Sequence, residues 1–347
     1  MKRKLVFGIL AVLIFAAIFI GWKFFGPAVR TPSGEFFYIK TGSDYATVKK
    51  ELTQQKFLDA GAWFDYTSRM LKYKQVKPGR YKLQKGMSVV NLVRMLRNGN
   101  QAPLNFVITR IRTKEALAGR VGRMFECDSL QMIRFMNSAD SLRSFGFDSN
   151  TVMAAVMPLT YTMKWNTTAG RIFRQWNNAY QQFWTDERRQ KAKNLGLTAI
   201  EATTLASIIE EETNKASDKP NIASVYLNRI NQGMPLQADP TVKFALKNFE
   251  LRRILRGHTQ TISPYNTYVN KGLPPGPICT PSLESIEAVL NTPQTSYLYF
   301  VANSNFDGSH IFTSNYEDHM KYARLYQSEL TELMKKKDSI KNAGQTK

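Results

Sequence analysis

An uncharged apolar run, residues 5–22, follows a basic cluster at residues 2–4 and limits what this chain can fold into. As a helix rising ~1.5 Å per residue, the run spans about 27 Å, close to the ~30 Å hydrocarbon core of a bilayer. Trp22, Phe24 and Phe25 lie at its end, where an interfacial aromatic belt is expected. The run therefore predicts a single membrane anchor.

A cleaved signal peptide is the alternative interpretation of the same run. Its apolar part is usually shorter and ends at a small-x-small cleavage site. Residues 21–27 read Gly-Trp-Lys-Phe-Phe-Gly-Pro and offer no good site, which favours the anchor. The basic residues before the run predict that the short N-terminal end stays cytoplasmic. The rest of the chain is then expected on the periplasmic or extracytoplasmic side of the cell (inner) membrane.

The composition is that of a basic globular protein. Of the 347 residues, 43% are hydrophobic and 22% charged, and the formal net charge is +21. This balance is typical of folded domains and favours acidic partners such as nucleic acid, anionic lipid or an acidic polymer. The domains after the anchor are expected outside the cytoplasm, where nucleic acid is not a normal partner. We therefore expect a membrane-anchored protein with no nucleic-acid partner.

The cysteines and histidines give no sign of a metal or cofactor. Cys127 and Cys279 are far apart and form no Cys-x-x-Cys pair, which excludes a zinc ribbon or redox motif and leaves their own redox state open. His258, His310 and His319 lack the spacing of a His-Glu-x-x-His zinc motif. The sequence also lacks a Gly-x-Ser-x-Gly nucleophile elbow and a phosphate-binding glycine loop. No cofactor and no metal are predicted.

The order of strands, helices and turns predicts an α+β fold. After a linker at residues 27–34, a strand, a helix capped by Asp44, a second helix and a strand after residues 78–79 form a small βααβ module. Ser88 caps a further helix, which ends near Gly99. The predicted division is a cytoplasmic stub and transmembrane anchor at 1–26, the small module at 35–110, a mixed α/β domain at 111–335 and a basic tail at 336–347.

The larger domain is predicted to be helical at first and rich in loops later. Helices are expected from residue 113 to about 194, interrupted near Pro158, and again over 198–234. From Gln237 onward, frequent Pro and Gly residues predict many loops. The last predicted elements are a strand at 297–301, a segment at 310–312 that pairs with it and a helix at about 316–337.

The chemistry is predicted to lie on one helix at residues 205–213 (Leu-Ala-Ser-Ile-Ile-Glu-Glu-Glu-Thr). A helix advances ~100° per residue, so Glu212 continues the apolar face that begins at Leu205. Glu210 points to roughly the opposite side, and Glu211 lies on a flank. The three carboxylates are therefore expected in different surroundings.

A carboxylate on an apolar face is desolvated, which raises its pKa. A general acid needs such a pKa to protonate a glycosidic oxygen near neutral pH. The alternative is that all three glutamates are surface charges paired with Lys215 and Lys219. Since Glu210 and Glu212 lie on different sides, they are not expected to form the facing pair of an ordinary glycosidase. Only one acid is expected from this helix.

A series of ordered blocks accompanies the glutamate segment 206–213. These blocks are residues 222–229, 234–242, 264–268, 272–278 and 297–302, followed by His310 and His319. At these spacings the chain resembles the MltG (YceG-like) endolytic murein transglycosylases. Residues 78–81 (Pro-Gly-Arg-Tyr) and 92–96 resemble the LysM-like subdomain of that family. The resemblance covers nearly the whole chain and is weakest between about 110 and 200.

The resemblance implies a lyase that cuts within peptidoglycan glycan strands, as a terminase of glycan elongation would. The family's catalytic glutamate directly precedes Thr, which is Glu212 here. It would protonate the oxygen of the MurNAc-β-1,4-GlcNAc bond and then, as carboxylate, accept the proton of the MurNAc C6 hydroxyl as a 1,6-anhydro ring closes. Residues 111–335 would form the YceG-like catalytic domain, and cell-wall synthases are expected partners. Leu159 and Cys279 depart from the family pattern, and the first puts a polar contact at that position in doubt.

Further polar and aromatic residues are predicted to bind substrate. A Gln-x-Asp pair after Gly233 would bind sugar hydroxyls or orient the acid, unless it only forms an Asp-Pro turn. A Tyr-Asn-x-Tyr segment would stack on sugar rings and bind an acetamido group, unless it only packs a loop. These candidates, in chain order, are Glu210, Gln237, Asp239, Tyr265, Asn266 and Tyr268.

Two other functions stay open at this point. A non-catalytic peptidoglycan-binding scaffold would hold glycan strands uncut and recruit wall synthases. A muramidase would cut the same bond with water and leave reducing ends instead of anhydro ends.

Overall fold

The computed structural model describes residues 2–31, 34–59 and 61–344. Its first element is helix α1, Lys2–Phe25. The segment Arg3–Phe25 has a mean hydropathy of 2.8, and none of its most apolar stretch is buried inside the protein. Large apolar side chains are open to the surroundings, for example Phe15 at 73% exposure. Since such exposure is unfavourable in water, α1 has the length and surface of a membrane-spanning helix, as predicted.

The chain divides into two compact units. The first contains residues up to Phe106 together with Val121–Asp128 and Thr162–Thr168. The second contains Val107–Arg120, Ser129–Tyr161 and the chain from Ala169 onward. No sequence pattern indicated that two short later segments belong to the first unit.

The first unit contains the βααβ order that the sequence predicts. Its strands β1 and β2 pair antiparallel, with Phe36 opposite Lys82 and Ile39 opposite Gly79. Buried aromatic and aliphatic side chains from both strands and from the helices form one core. The likeness of this unit to LysM stays a prediction. Its elements are β1 (Phe36–Ile39), α2 (Tyr45–Gln54), α3 (Ala62–Met70), β2 (Gly79–Lys82) and α4 (Val89–Asn98). Strand β3 (Leu104–Val107) follows, and its last residue already belongs to the second unit.

The local signals that bound these helices are confirmed. Asp44 accepts a hydrogen bond from Thr47 N at 2.8 Å and caps α2. Ser88 caps α4 in the same way. Gly99 ends α4 with φ of 72°, a left-handed conformation that glycine adopts at little cost.

The predicted linker after the anchor is wrong in part. Residues 28–30 are hydrogen-bonded to the rest of the first unit. Val29 N donates to Met87 O at 3.0 Å, and Gly86 N donates to Val29 O at 2.8 Å. Arg30 N donates to Phe57 O at 2.9 Å. The Val29 side chain is only 2% exposed. An apolar residue inside a Pro- and Gly-rich stretch was the signal for this packing. Residues 32 and 33 lie outside the described residues.

The later part of the chain is mainly helical. The predicted helices between residues 113 and 234 are confirmed, with an additional strand, β4 (Thr160–Met163), after Pro158. Two short 3₁₀ turns lie at Val152–Ala155 and His258–Gln260. The helices in this part of the chain are α5 (Lys114–Met124), α6 (Ser129–Asn137), α7 (Ala139–Arg143), α8 (Ala169–Phe183), α9 (Asp186–Asn194), α10 (Ala199–Glu212) and α11 (Lys219–Asn231).

The C-terminal part is more regular than the sequence predicted. It contains two unpredicted helices, α12 (Asp239–Ala245) and α13 (Leu283–Leu290). The predicted strand pair is confirmed as β5 (Tyr299–Ala302) and β6 (His310–Thr313), antiparallel with Ala302 opposite His310. The last helix, α14 (Tyr316–Gly344), extends beyond the predicted end at residue 337 and takes in most of the predicted basic tail, whose final residues lie outside the described part.

Helix α10 is the buried centre of the second unit. A capping box starts it, with Glu201 N donating to Thr198 Oγ1 and Thr198 N donating to Glu201 Oε2. Residues 202–209 are all buried, so the helix is covered on every side and not on one apolar face only. Extended backbone at Thr213 ends the helix directly after Glu212.

Candidate active site

Three consecutive glutamates at the end of α10 have three different sets of contacts, as the helical geometry predicted. Glu211 binds Arg112 in a two-point ion pair, with Arg112 Nε 2.9 Å from Oε1 and Nη2 2.8 Å from Oε2. Its side chain is only 12% exposed. Planar bidentate pairs of this kind fix both partners, so the contacts of Glu211 stabilise the fold.

Glu210 is held by a second network. Its Oε2 accepts hydrogen bonds from Ser282 Oγ at 2.6 Å and Ser285 Oγ at 2.5 Å, and Lys219 Nζ lies 3.5 Å away. Burial alone would raise the pKa of Glu210, but these hydrogen bonds and the lysine charge lower it below the ordinary value. Glu210 therefore joins α10 to the start of α13 as an ionised group. The alternative interpretation paired the glutamates with Lys215 and Lys219 as surface charges. Glu210 does lie near Lys219, but Lys215 pairs with Asp307 at 3.2 Å instead.

Glu212 has surroundings that favour its protonated form. The hydroxyl of Tyr226, on α11, donates a 2.6 Å hydrogen bond to Oε1. Burial of the carboxyl group raises the pKa of Glu212 to about 7, although the Tyr226 bond lowers it and the Asp239 charge raises it further. A carboxylic acid that titrates near neutral pH can both give and accept a proton there.

Glu212 also lies where two cavities meet. A cavity of about 300 Å³, here called the tyrosine cavity, is lined by Tyr226, Gln237, Asp239 and Tyr268. A cavity of about 660 Å³, the hairpin cavity, is lined by residues 213–215 and by the loop between β5 and β6. Among the residues that line either cavity, Glu212 is the one that lines both. Its side chain is therefore open to both cavities.

The wall of the hairpin cavity is built from buried polar contacts. Asp218, at the start of α11, is 6% exposed. Its Oδ2 accepts from His310 N at 2.8 Å and lies 2.9 Å from His310 Nδ1. The ring of His310 meets Phe300 edge-on at 5.5 Å. These contacts fix the start of β6 beside Glu212.

Three of the predicted substrate-binding residues lie with Glu212 in the tyrosine cavity. Asp239 accepts a 2.6 Å hydrogen bond from the Tyr268 hydroxyl. Gln237 has φ of 53°, a left-handed conformation that is uncommon for a residue with a Cβ. Such backbone strain is concentrated at functional sites. The blocks 234–242 and 264–268 therefore form one wall of the site.

A buried hydroxyl cluster joins these two blocks. Thr241 Oγ1 lies 2.8 Å from Thr267 Oγ1, and Ala238 N donates to Thr267 Oγ1 at 3.0 Å. Gln237 N donates to Thr267 O at 3.0 Å. Asp239 and Thr241 lie on α12 rather than on the predicted loop, because Pro240 near the start of a helix initiates it instead of forming a turn.

The other predicted substrate contacts lie elsewhere. Asn266 is fully buried and donates to Thr259 O at 3.0 Å and Thr261 O at 2.7 Å, so it holds its own loop together. Tyr265 packs against Phe244 with ring centroids 4.7 Å apart. Neither these two residues nor Glu210 lines the tyrosine cavity or the hairpin cavity.

Three polar residues that line the tyrosine cavity were not among the predicted site residues. Tyr226 was the one polar ring in an otherwise buried stretch of α11, which was a usable signal. Arg229 donates to Leu298 O at 2.7 Å and to Leu236 O at 2.8 Å. These bonds hold two backbone segments beside the cavity in place. His319 stacks on Tyr299 at 5.3 Å. Burial lowers the pKa of His319, with a smaller contribution from the Arg229 charge, so the ring is neutral at pH 7.

No group of three or more metal-ligating side chains occurs in the part of the chain that the structure describes. Neither cysteine forms a disulfide, both are buried, and Cys279 Sγ lies 3.4 Å from Ser207 O. The polar groups that line the tyrosine cavity are two carboxyl groups, two tyrosine hydroxyls, one amide, one guanidinium and one imidazole.

Fold and site together define an α+β protein with an apolar N-terminal helix and a carboxylic acid that lines two cavities. The profile of the YceG-like family matches residues 37–325, and the chain belongs to that family. A crystal structure of a YceG-like protein from Listeria monocytogenes matches with a TM-score of 0.56 and 28% identity, over 82% of this chain and 98% of that one. The family and fold predicted from the sequence are thereby confirmed.

Relatives with assigned names agree with one another. A protein of Bacillus subtilis (strain 168) named endolytic murein transglycosylase is 28% identical over 314 residues, which are 85% of this chain and 85% of that protein. A protein of Streptococcus pneumoniae (serotype 2, strain D39) with the same name is 30% identical over 312 residues. That match covers 81% of this chain but 56% of the pneumococcal protein, so the chain spans little more than half the length of that relative.

Proposed function

We propose that this protein is an endolytic murein transglycosylase, a lyase that cuts MurNAc-β-1,4-GlcNAc bonds within peptidoglycan glycan strands. The observation that carries the proposal is Glu212, a carboxyl group with its pKa raised to about 7, at the meeting point of two cavities. The names of the relatives support the same reaction.

The first step is protonation of the glycosidic oxygen. Tyr226 occupies Oε1 of Glu212, so the mechanism uses Oε2 to carry the transferred proton. As the bond between the sugars breaks, positive charge develops at C1 of MurNAc. Asp239, fixed by Tyr268, supplies negative charge in the same cavity and favours that transition state.

The second step uses the same side chain as a base. The C6 hydroxyl of MurNAc attacks C1, and the Glu212 carboxylate accepts the hydroxyl proton, which leaves a 1,6-anhydro ring and restores the acid. Because the nucleophile belongs to the substrate, no bound water has to be activated. A pKa near neutral suits both halves of this cycle.

The two cavities that share Glu212 support cutting within a strand, because each can hold sugars of the same chain. Sugars on one side of the broken bond would lie in the tyrosine cavity and those on the other side in the hairpin cavity. A site closed at one end would favour removal of terminal units instead. Glu212, Gln237, Asp239 and Tyr268 are the residues that we assign to this site.

Membrane orientation and domain roles complete the proposal. The basic residues before the apolar run favour a cytoplasmic N-terminus in the cell (inner) membrane, with both units outside the cytoplasm. Residues 35–110 would act as a LysM-like glycan-binding module and residues 111–335 as the catalytic domain. Cell-wall synthases are the expected partners, because a cut in nascent strands is made next to their synthesis. A reporter enzyme active only outside the cytoplasm, fused to the C-terminus, tests the orientation.

Digestion of purified sacculi with the full-length protein tests the activity. Wild type should release glycan fragments longer than a disaccharide that end in 1,6-anhydroMurNAc, identified by mass spectrometry. Glu212→Gln should reduce their release by at least about 10³-fold, since it removes the titrating proton and keeps the size of the side chain. Glu211→Gln is the matched control, because its side chain lies outside both cavities. Undiminished anhydro products from Glu212→Gln would refute the assignment.

Hydrolysis of the same bond is the second candidate function. The observation that favours it is that Asp239 lines the same cavity as Glu212. A carboxylate in the same cavity as the acid could activate a water molecule, as in inverting glycosidases. The same digestion separates the two reactions, since hydrolysis leaves reducing ends. Uncut strands that still bind the wild-type protein would indicate a non-catalytic scaffold.

A further inference from the structure

A third cavity, far along the chain from the acid, lies in the first unit at the point where α1 ends. It measures about 420 Å³. Trp22 and Lys23 from the last turn of α1 line it, together with Trp63 of α3 and Lys85 from the turn before α4. We call it the interface cavity. The proposed function makes no use of it.

The interface cavity lies at the depth of lipid headgroups. The apolar run of α1 ends at Trp22, and a helix rises only ~1.5 Å per residue, so Phe24 lies about 3 Å further along the helix. Phe24 packs against Trp63 at 5.4 Å and Tyr66 at 5.7 Å. Those side chains therefore lie within a few ångströms of the membrane boundary, where tryptophan and tyrosine are enriched.

The cavity walls are held in place by the backbone. Residues 28–30 form the hydrogen bonds to Gly86, Met87 and Phe57 described above, and Val29 is buried in the core of the unit. The segment that follows the anchor is thus part of a folded wall. A site at this position keeps its shape relative to the end of α1.

The charges in the interface cavity favour an anion. Lys23, Arg30 and Lys85 line it, and Asp59 is the carboxylate among its lining residues. Arg30 and Asp59 form a 2.6 Å ion pair whose side chains are 65% and 64% exposed. Exposed pairs of this kind contribute little to stability, so Arg30 can turn to another anion at small cost. Leu58 and Val89 add apolar surface beside the cations.

We propose that the interface cavity binds the phosphate headgroup of an anionic membrane lipid. Lys23, Lys85 and Arg30 neutralise the phosphate, the two tryptophans hold the glycerol region, and the apolar wall receives the start of an acyl chain. The bound lipid fixes the first unit against the bilayer surface. This site is independent of Glu212 and holds whether or not the proposed activity is right.

Native mass spectrometry of the full-length protein in detergent tests the proposal. Wild type is titrated separately with dihexanoyl phosphatidylglycerol, dihexanoyl phosphatidylcholine and inorganic phosphate. We expect tighter binding of the anionic lipid than of either other probe. The double variant Lys23→Gln/Lys85→Gln should weaken that binding about thirtyfold, since each cation near an anionic lipid contributes about fivefold.

The matched control is Lys40→Gln/Lys50→Gln, which changes the same charge at exposed lysines of the first unit that do not line the cavity. It should leave the affinity for phosphatidylglycerol within about twofold of wild type. Equal affinity for the two lipids, or an equal loss in both double variants, would overturn the proposal. Inorganic phosphate binding as tightly as phosphatidylglycerol would assign the cavity to a free anion and overturn the lipid assignment.

Discussion

The phenolic hydroxyl of Tyr226 donates a 2.6 Å hydrogen bond to Oε1 of Glu212. The tyrosine ring is itself fixed, edge-on to Phe300 at 5.8 Å. Burial disfavours the charged carboxylate and the hydrogen bond favours it; burial is the larger effect, since the pKa of Glu212 is raised to about 7. The acid is therefore held in one orientation and still keeps its proton close to neutral pH.

Tyr226→Phe should slow the reaction and shift its pH dependence. The change keeps the ring against Phe300 and removes the donor, and the rate at the pH optimum should fall about tenfold to a hundredfold, as expected for one hydrogen bond to a charged group. Because that bond lowers the pKa of Glu212, its loss raises the pKa further. The alkaline limb of kcat/KM should move to higher pH in a pH–rate profile on glycan strands.

The matched control for that variant is Tyr73→Phe in the first unit. The Tyr73 hydroxyl is buried and has no hydrogen-bond partner among the described residues, so its removal should change neither rate nor pH profile. A shift of the Tyr226→Phe limb to lower pH would contradict the role given to the hydrogen bond.

Asp239→Asn should move the alkaline limb of kcat/KM to lower pH, opposite to the shift expected for Tyr226→Phe. The negative charge of Asp239 raises the pKa of Glu212, so a neutral amide lowers it and activity is lost at a lower pH. Loss of a charge that favours the transition state should also reduce kcat, by about tenfold or more, with a smaller effect on KM. Tyr268→Phe is the comparison, since it removes the hydrogen-bond partner of Asp239 and leaves the charge in place. Equal profiles for Asp239→Asn and wild type would remove Asp239 from the mechanism.

The stability of the protein should carry a matching pH dependence. In the unfolded chain Glu212 ionises near 4.5, and in the folded protein near 7. As pH rises between these values the unfolded state loses its proton first, so folding becomes less favourable by about 3 kcal/mol once the pH is above 7. Glu212→Gln carries no charge in either state. It should be more stable than wild type at pH 8 and equally stable near pH 4.

Urea unfolding of wild type and Glu212→Gln at a series of pH values, in the same detergent, measures that difference. The difference in unfolding free energy should grow from pH 4.5 to pH 7 and then stay constant. A wild type that is the more stable of the two at pH 8 would mean that the carboxylate is well solvated in the folded protein.

Local signals predicted the elements of this protein better than the contacts between them. Asp44, Ser88 and Gly99 act within one turn of their own helices, so their roles could be read from the sequence. Pro240 fits an Asp-Pro turn, one of the two alternatives above, but proline is also common in the first turn of a helix, and here it lies in α12. A single sequence does not separate these two uses of proline.

The site itself was predicted in part. The helical face argument selected Glu212, yet α10 is buried on every side, so an apolar face does not by itself distinguish the three glutamates. The three glutamates are distinguished by their hydrogen-bond partners, which are distant in sequence. Glu211 binds Arg112. Glu210 binds Ser282 and Ser285. Periodicity carries no information about such contacts, which is why Tyr226 and the helix-joining role of Glu210 were not foreseen.

Glu211→Gln should cost stability without costing chemistry. The substitution leaves the guanidinium of Arg112 without its counter-charge at a site where Glu211 is only 12% exposed. We expect a loss of about 1–3 kcal/mol in unfolding free energy, less than for a fully buried pair because Arg112 is partly open to solvent. Urea unfolding measures the loss, and anhydro product release per folded molecule should match wild type.

The double variant Glu211→Gln/Arg112→Met tests the cause of that loss. The double variant removes both members of the two-point pair but leaves Arg110, whose Nε lies 3.6 Å from Glu211 Oε1 and whose side chain is 42% exposed. Because water can solvate Arg110 and methionine keeps much of the apolar volume of Arg112, most of the stability should return. A double variant as unstable as Glu211→Gln would show that packing, not charge, was lost. If Glu211→Gln abolished anhydro products as completely as Glu212→Gln at an equal folded fraction, the acid could not be assigned to Glu212, because the two neighbouring side chains share neither cavity nor partner.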